Sequence, residues 1–252
     1  MESELRKVVL ILTDISGYTR FMLSNKASLV HGQVIITELT KAIINQIEIP
    51  LEISKLEGDA VFAYAVRGES EAEWEAHKRL IGAKLQMFFE AFSDKLAELI
   101  GSNICNCETC KNIEKLQLKI LVHSGEALFY KIGGFNELSG ADVIIVHRLL
   151  KNSVKSHQYL LLTEAACRDI EFPERLDLVE GEETYDEIGA VKTHIHLLPG
   201  GENFYGKIKN ERHYSSRFHV IKNEGLKMLN SRLIGWGLKK LPKFNNLPAA
   251  PE

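Results

Sequence analysis

Apolar and polar positions change period several times along the first two hundred residues, and each change marks an element. Residues 8–12 form a β-branched apolar run that stops at Thr13-Asp14, the pattern of a core strand. A polar stretch follows, Asp14-Ile-Ser-Gly-Tyr-Thr-Arg-Phe21. From about residue 31 to 47, Val34, Ile35, Leu39, Ile43, Ile44 and Ile47 recur at helical spacing. Residues 50–56 and 60–66 read as two strands joined by the tight-turn sequence Glu57-Gly58-Asp59. Residues 71–100 predict a second long helix with Trp74, Leu80, Leu85, Phe88, Phe89, Phe92 and Leu96 towards the core. Residues 116–123 alternate as a strand does. Ser124-Gly125 predicts a turn into another short strand, which Gly133-Gly134 breaks. Residues 141–150 and 164–168 read as helices, and 159–162 and 193–198 as strands. The order is β-α-β-β-α-β with extra strands. It predicts an α+β fold, a ferredoxin-like βαββαβ sandwich with helices on one face of a mostly antiparallel sheet.

The pattern changes after Pro199. Residues 212–243 are strongly basic, contain Trp236 among leucines, and lead to Pro242, Pro248 and Pro251. One domain, residues 1–200, followed by a basic C-terminal extension, 201–252, is expected. The extension reads as a helix packed on the domain, or as a basic amphipathic segment for a membrane surface or protein partner.

Composition narrows the class. Apolar residues make up 45% of the 252 and charged residues 26%, the balance of a globular protein with a real core. A net charge of -3 argues against a chain dedicated to nucleic acid. No apolar run reaches the roughly 18–20 residues of a membrane span, and the N-terminus lacks signal-peptide character. A cytoplasmic location is expected.

Two aspartates carry the first chemical expectation. Asp14 ends the first strand and Asp59 sits in the turn of the next hairpin. Carboxylates at such ends of neighbouring strands can converge on a pair of hard divalent cations, the arrangement that clamps both oxygens of a phosphoryl displacement.

The segments around them resemble the class III adenylyl and guanylyl cyclases. Val9-Leu-Ile-Leu-Thr-Asp14-Ile-Ser-Gly-Tyr-Thr-Arg-Phe21 is similar to the opening motif of that family, and Lys55-Leu-Glu-Gly58-Asp59-Ala-Val-Phe to its second. Leu118-Lys-Ile-Leu-Val-His-Ser-Gly125 and Gly140-Ala-Asp-Val-Ile-Ile-Val-His-Arg148-Leu resemble the third and fourth. The resemblance spans about residues 6–200. It implies that Asp14, Asp59 and the carbonyl of Ile15 hold two Mg²⁺ or Mn²⁺ ions. It implies that Lys55 and Glu137 contact the purine, and that Arg148 steadies charge on the α-phosphate. Lys⁺ can donate to N1 of adenine and a carboxylate can accept from its 6-amino group, so this pair argues for ATP over GTP. A head-to-tail homodimer is implied as well, with metals from one chain and purine contacts and arginine from the other. One position departs from the family: Ile144 stands where an Asn usually orients the ribose. The expected activity is formation of 3′,5′-cyclic AMP from ATP, slow for want of that contact. The alternative is a degenerate module that binds nucleotide or a protein partner without turnover.

Cys105-Asn-Cys107-Glu-Thr-Cys110 lies outside the cyclase pattern. Three soft ligands in a short loop suit Zn²⁺, which takes four Cys or His ligands in a closed structural site. Cys167, His123, another His or a second protomer could supply the fourth, and three reduced thiols are the plain alternative. A local staple is favoured over a redox regulator. His194 and His196 share one face of a late strand, a weaker candidate.

Overall fold

The computed structural model of the chain describes residues 3–23, 29–102 and 108–198, and the single positions Leu229, Leu233 and Leu238. The elements run β1 (Ser3–Ser16), α1 (Tyr18–Leu23), α2 (Leu29–Ile44), β2 (Glu52–Glu57), β3 (Ala60–Val66), α3 (Glu71–Gly101) and α4 (Glu108–Lys111). After a 3-10 turn at Ile113–Lys115 come β4 (Gln117–Ile132), β5 (Phe135–Ser139), α5 (Ala141–Arg148), β6 (Tyr159–Thr163), α6 (Glu164–Arg168), β7 (Val179–Tyr185) and β8 (Gly189–Leu197). No helix among the described residues is long and apolar enough to cross a membrane.

One sheet holds all eight strands in the order β2-β3-β1-β4-β6-β8-β7, with β5 paired to β4. Every pairing is antiparallel except β4 with β6. The α+β sandwich read from the sequence is the fold, with β7 as a strand its pattern did not reveal. β1 sits between β3 and β4, and side chains of a strand alternate between faces. Val9, Ile11 and Ile15 join one core with α2 and α3. Val8, Leu10 and Leu12 join a second core with Val146 and Leu149. The expectation of helices on a single face therefore fails: α5 covers the face opposite the two long helices.

Helix α3 starts at Ser70, whose hydroxyl accepts from the Glu73 amide at 3.4 Å. Glu71 and Glu73 in its first turn complement the helix dipole. Its inner face is Trp74, Ile81, Leu85, Phe88, Phe89, Phe92, Leu96 and Leu99. Leu80, expected inside, is 45% exposed, and its neighbour Ile81 takes the core position. The predicted turn at Ser124-Gly125 does not form either. β4 runs unbroken for 16 residues through it, and pairs with β1 from Ser3↔Tyr130 to Ser16↔Gln117.

The expected domain boundary at residue 200 and the basic stretch 212–243 lie outside the described residues, apart from Leu229, Leu233 and Leu238.

Candidate functional site

Register places the acids. In the β1–β4 ladder Asp14 stands opposite Lys119, and Lys119 Nζ lies 2.9 Å from Asp14 Oδ2. Both side chains are largely buried, at 17% and 21% exposure. Asp59, in the β2–β3 turn, reaches the same place, with backbone hydrogen bonds from its own residue and from Ile15. Burial, and next the charge of Asp14, push its carboxyl up to about 7, against the smaller opposing pull of those hydrogen bonds and of Lys119. Two carboxylates thus share one ammonium, and one of them holds its proton up to neutrality. Such a donor set is short of positive charge and suits a hard divalent cation. Asp14, Asp59 and Ile15 fit the expected ions in this respect. No cluster of three or more His, Cys, Asp or Glu side chains suited to a metal occurs among the described residues.

The second group forms around α5. His123 on β4 bridges Thr163 Oγ1 (2.9 Å) and Asp142 Oδ1 (2.8 Å), and Asp142 Oδ2 accepts from the Glu126 amide at 2.7 Å. A Cβ on Gly125 would fall 2.1 Å from the Asp142 carboxyl carbon. Gly125 is there so that Asp142 can dock the start of α5 on β4. From that anchor the helix carries Ile144, His147 and Arg148 forward. Val143, Ile144, His147, Arg148 and Lys151 line an open cavity of about 350 Å³, and Ile144 is 54% exposed.

Lys55 and Glu137, 82 positions apart, meet with Nζ 2.9 Å from Oε2. The same ammonium is 4.0 Å from Glu57, and Glu57 lies 3.2 Å from His147 Nε2. His147 Nδ1 donates to the Val143 carbonyl at 2.7 Å, and its ring stands edge-on to Phe62. The chain Glu137–Lys55–Glu57–His147 therefore ties β5, β2 and α5 together.

The structure can be set beside known proteins. It aligns with the guanylyl cyclase Cya2 at a TM-score of 0.60, with 13% identity, over 80% of this chain and 96% of that one. The adenylyl cyclase CyaB from P. aeruginosa aligns at 0.54, with 12% identity, over 79% and 97%. The fold is that of the class III nucleotidyl cyclases. At these identities the cyclase likeness concerns architecture. In sequence, residues 36–159 match the family described as protein of unknown function (DUF2652). That span carries Lys55, Asp59, Glu137 and Arg148 but starts after Asp14. The chain is also 28% identical over 144 residues to the uncharacterized protein Rv2561/Rv2562 of Mycobacterium tuberculosis, a stretch covering 57% of this chain and 65% of that relative. The chain thus spans just under two thirds of its length.

Three residues of this cyclase fold escaped the sequence reading. Lys119 becomes visible only through its register with Asp14. Glu57 looked like a turn residue. His31 opened a helical pattern, yet it contacts Cys110 at 3.5 Å. Cys105 and Cys107 lie outside the described residues. His123, weighed as a zinc ligand, is instead engaged with Asp142 and Thr163. His194 and His196 sit on β8, and His196 Nδ1 lies 3.0 Å from the Asp177 carbonyl.

Proposed function

We propose that the chain is a slow nucleotidyl cyclase that forms 3′,5′-cyclic AMP from ATP. The observation that supports this most is the partly buried pair of Asp14 and Asp59 at the end of the central strands, one of them protonated up to about pH 7. That pair, with the Ile15 carbonyl, would hold two Mg²⁺ or Mn²⁺. Bound there, the ions would acidify the ribose 3′-hydroxyl and neutralise the triphosphate.

The remaining steps belong to the chain. The 3′-oxygen attacks the α-phosphorus, the bond to the β-phosphate oxygen breaks, and pyrophosphate leaves. Lys119, whose ammonium lies 2.9 Å from Asp14 and 3.5 Å from the Leu150 carbonyl, would stand beside a cation held by Asp14 and offer a donor to a phosphate oxygen. Arg148 offsets charge developing on the α-phosphate. Lys55 donates to N1 of adenine and Glu137 accepts from the 6-amino group. Both groups pair with each other before a base arrives, so binding exchanges one polar contact for two. In the head-to-tail homodimer, acids of one protomer face Lys55, Glu137 and Arg148 of its partner.

A second reading has its own support. Ile144 offers no hydrogen bond where the ribose needs one, which favours a module that binds nucleotide without turnover. Purified protein with Mn²⁺ and ATP, assayed for cyclic AMP by mass spectrometry, separates the two. Product that vanishes in Asp14→Ala/Asp59→Ala supports the enzyme, and no product at high protein concentration with ATP still bound supports the module.

The cysteine cluster calls for a separate, structural ion, a zinc held by Cys105, Cys107 and Cys110.

A further inference from the structure

Six buried side-chain polar atoms among the described residues have no hydrogen-bond partner, and two of them, Ser124 Oγ and Trp74 Nε1, belong to residues that line one cavity. It measures about 230 Å³ and lies where the start of β1, the end of β3, the first turn of α3, the middle of β4 and α6 meet. Strand register brings its wall together. Val9 stands opposite Ser124 and Lys7 opposite Glu126, and residues directly opposite share a face of the sheet. Val9 and Trp74 belong to the same core, so Ser124, Lys7 and Glu126 lie on the face that α3 covers. Ser124 is 6% exposed and Trp74 1%. A buried donor without a partner is costly, so this pair calls for an acceptor that the chain does not supply.

The same cavity collects charge. Lys7, Arg67 and Arg168 line it on the positive side, Glu126 and Asp169 on the negative. The Arg67 guanidinium is held 2.8 Å from Glu71 and 5.8 Å from the centre of the Trp74 ring, and Arg168 lies 3.7 Å from Glu164. Among the described residues no salt bridge joins a cation of the cavity to Glu126 or Asp169, although all five line one space. Three cations and two orphan donors suit an oxyanion. The two carboxylates suit it only where the anion itself donates, because an ionised carboxylate accepts and cannot donate. A water molecule could satisfy Ser124 and Trp74, but it gives no reason for three cations to gather around it.

We infer that this cavity binds hydrogen phosphate, an oxyanion that keeps a proton at neutral pH. Its charged oxygens accept from Ser124, Trp74 and the three cations, and its hydroxyl donates to Glu126 or Asp169. Lys7 precedes Asp14 by seven residues along β1, roughly 23 Å at strand spacing, so the site is independent of the cyclase reading. Its floor has a second role. Gly125, between Ser124 and Glu126, admits Asp142, and the Glu126 amide donates to that carboxylate at 2.7 Å. The segment of β4 that lines the phosphate site on one face thus anchors α5 on the other.

The test is isothermal titration calorimetry of the full-length protein at about pH 7.5, without divalent cations and at ionic strength held constant with chloride. Inorganic phosphate is expected to bind once per chain. Sulfate has the same shape and no proton, and glycerol phosphate has lost its second proton, whose pKa is about 6. Each should bind at least about tenfold more weakly, since a site built to accept from a hydroxyl rejects an analogue without one. Ser124→Ala and Lys7→Gln remove one hydroxyl from a small side chain and one charge from an exposed position. Each should weaken phosphate by about tenfold to a hundredfold with the melting temperature preserved. Arg148→Gln should leave phosphate binding unchanged. Weakening in Arg148→Gln but not in Ser124→Ala would move the anion to the proposed nucleotide site and overturn the inference. Sulfate bound as tightly as phosphate would overturn the accepting role of Glu126 and Asp169. No saturable phosphate binding by wild type would overturn the site itself.

Discussion

The two halves of the proposed nucleotide site are built in opposite ways. The acid half is made by the end of β1 and the β2–β3 turn. Its side chains are mostly buried, and its charges balance only while Asp59 keeps its proton, up to about pH 7, because Lys119 offsets Asp14 alone. The nucleoside half is made by β2, β5 and α5. Lys55 and Glu137 are 39% and 30% exposed, already paired, and linked on to Glu57 and His147. Its departure from the cyclase pattern, Ile144, points half into solvent. A buried, unbalanced site is fixed by the fold and asks for a cation. An exposed, self-satisfied one can change residue by residue without cost to folding. Metal binding should therefore be the robust property of this protein and turnover the fragile one.

The largest effects should come from the acid half. Asp14→Ala and Asp59→Ala are each expected to abolish Mn²⁺ binding, read by electron paramagnetic resonance, and to bring cyclic AMP formation below detection. Arg148→Ala should retain Mn²⁺ and lose about 10²–10³ in kcat, the scale for removing one donor to a developing charge. If Arg148→Ala instead lost Mn²⁺ while keeping turnover, the division between halves would collapse.

Ile144→Asn runs the other way. An exposed position on α5 accepts the change with little effect on stability, and the new amide supplies the missing ribose contact. By the same scale, kcat should rise by up to about 10²-fold with Mn²⁺ affinity unchanged. An unchanged kcat across a range of ATP concentrations would show that the departure at 144 is not what limits the rate.

The sequence revealed these halves unevenly, for physical reasons. Periodicity in β1, α2 and α3 is strong because each buries a continuous apolar stripe, and those elements were legible. Asp14 was legible because it ends an apolar run, and Asp59 because it closes the turn that opens the next one. Gly125 misled, since a glycine that admits Asp142 beside a strand looks in sequence like one that makes a turn. Leu80 misled because it adjoins Ile81, and only one of the two can face the core. Lys119 and His31 were invisible because their partners are distant in sequence and are set by strand register and helix packing.

A smaller effect tests the charge imbalance itself. The folded-state value of Asp59, about 7, is raised above the ordinary carboxylate value of 3.8. Between those limits the folded protein keeps a proton that the unfolded chain has lost, so stability without metal should fall as pH rises from about 4 to about 7. Asp59→Asn should remove that slope. Divalent binding must displace the same proton. Mn²⁺ affinity should therefore drop about tenfold per unit as pH falls below about 7 and level off above it. Calorimetry in buffers of different ionisation enthalpy would count the released proton, and release that is nil at pH 6 would contradict a shared, cation-starved pair.

The smallest effect belongs to base selection. A fully buried hydrogen-bonding pair can discriminate between substrates by orders of magnitude because rejection leaves polar groups stranded. Lys55 and Glu137 cannot act so strongly, because water reaches both and each keeps a partner when the base is wrong. Screening reduces such an exposed pair to about 1 kcal/mol, which corresponds to about fivefold between ATP and GTP. Glu137→Gln gives the side chain a donor that can meet the guanine O6, and should bring the ratio of kcat/KM values close to unity. Equal loss on both nucleotides would mean that Glu137 acts only by holding Lys55. A large swing, towards a hundredfold, would mean that a partner subunit closes over this pair and excludes the water that one chain leaves in place.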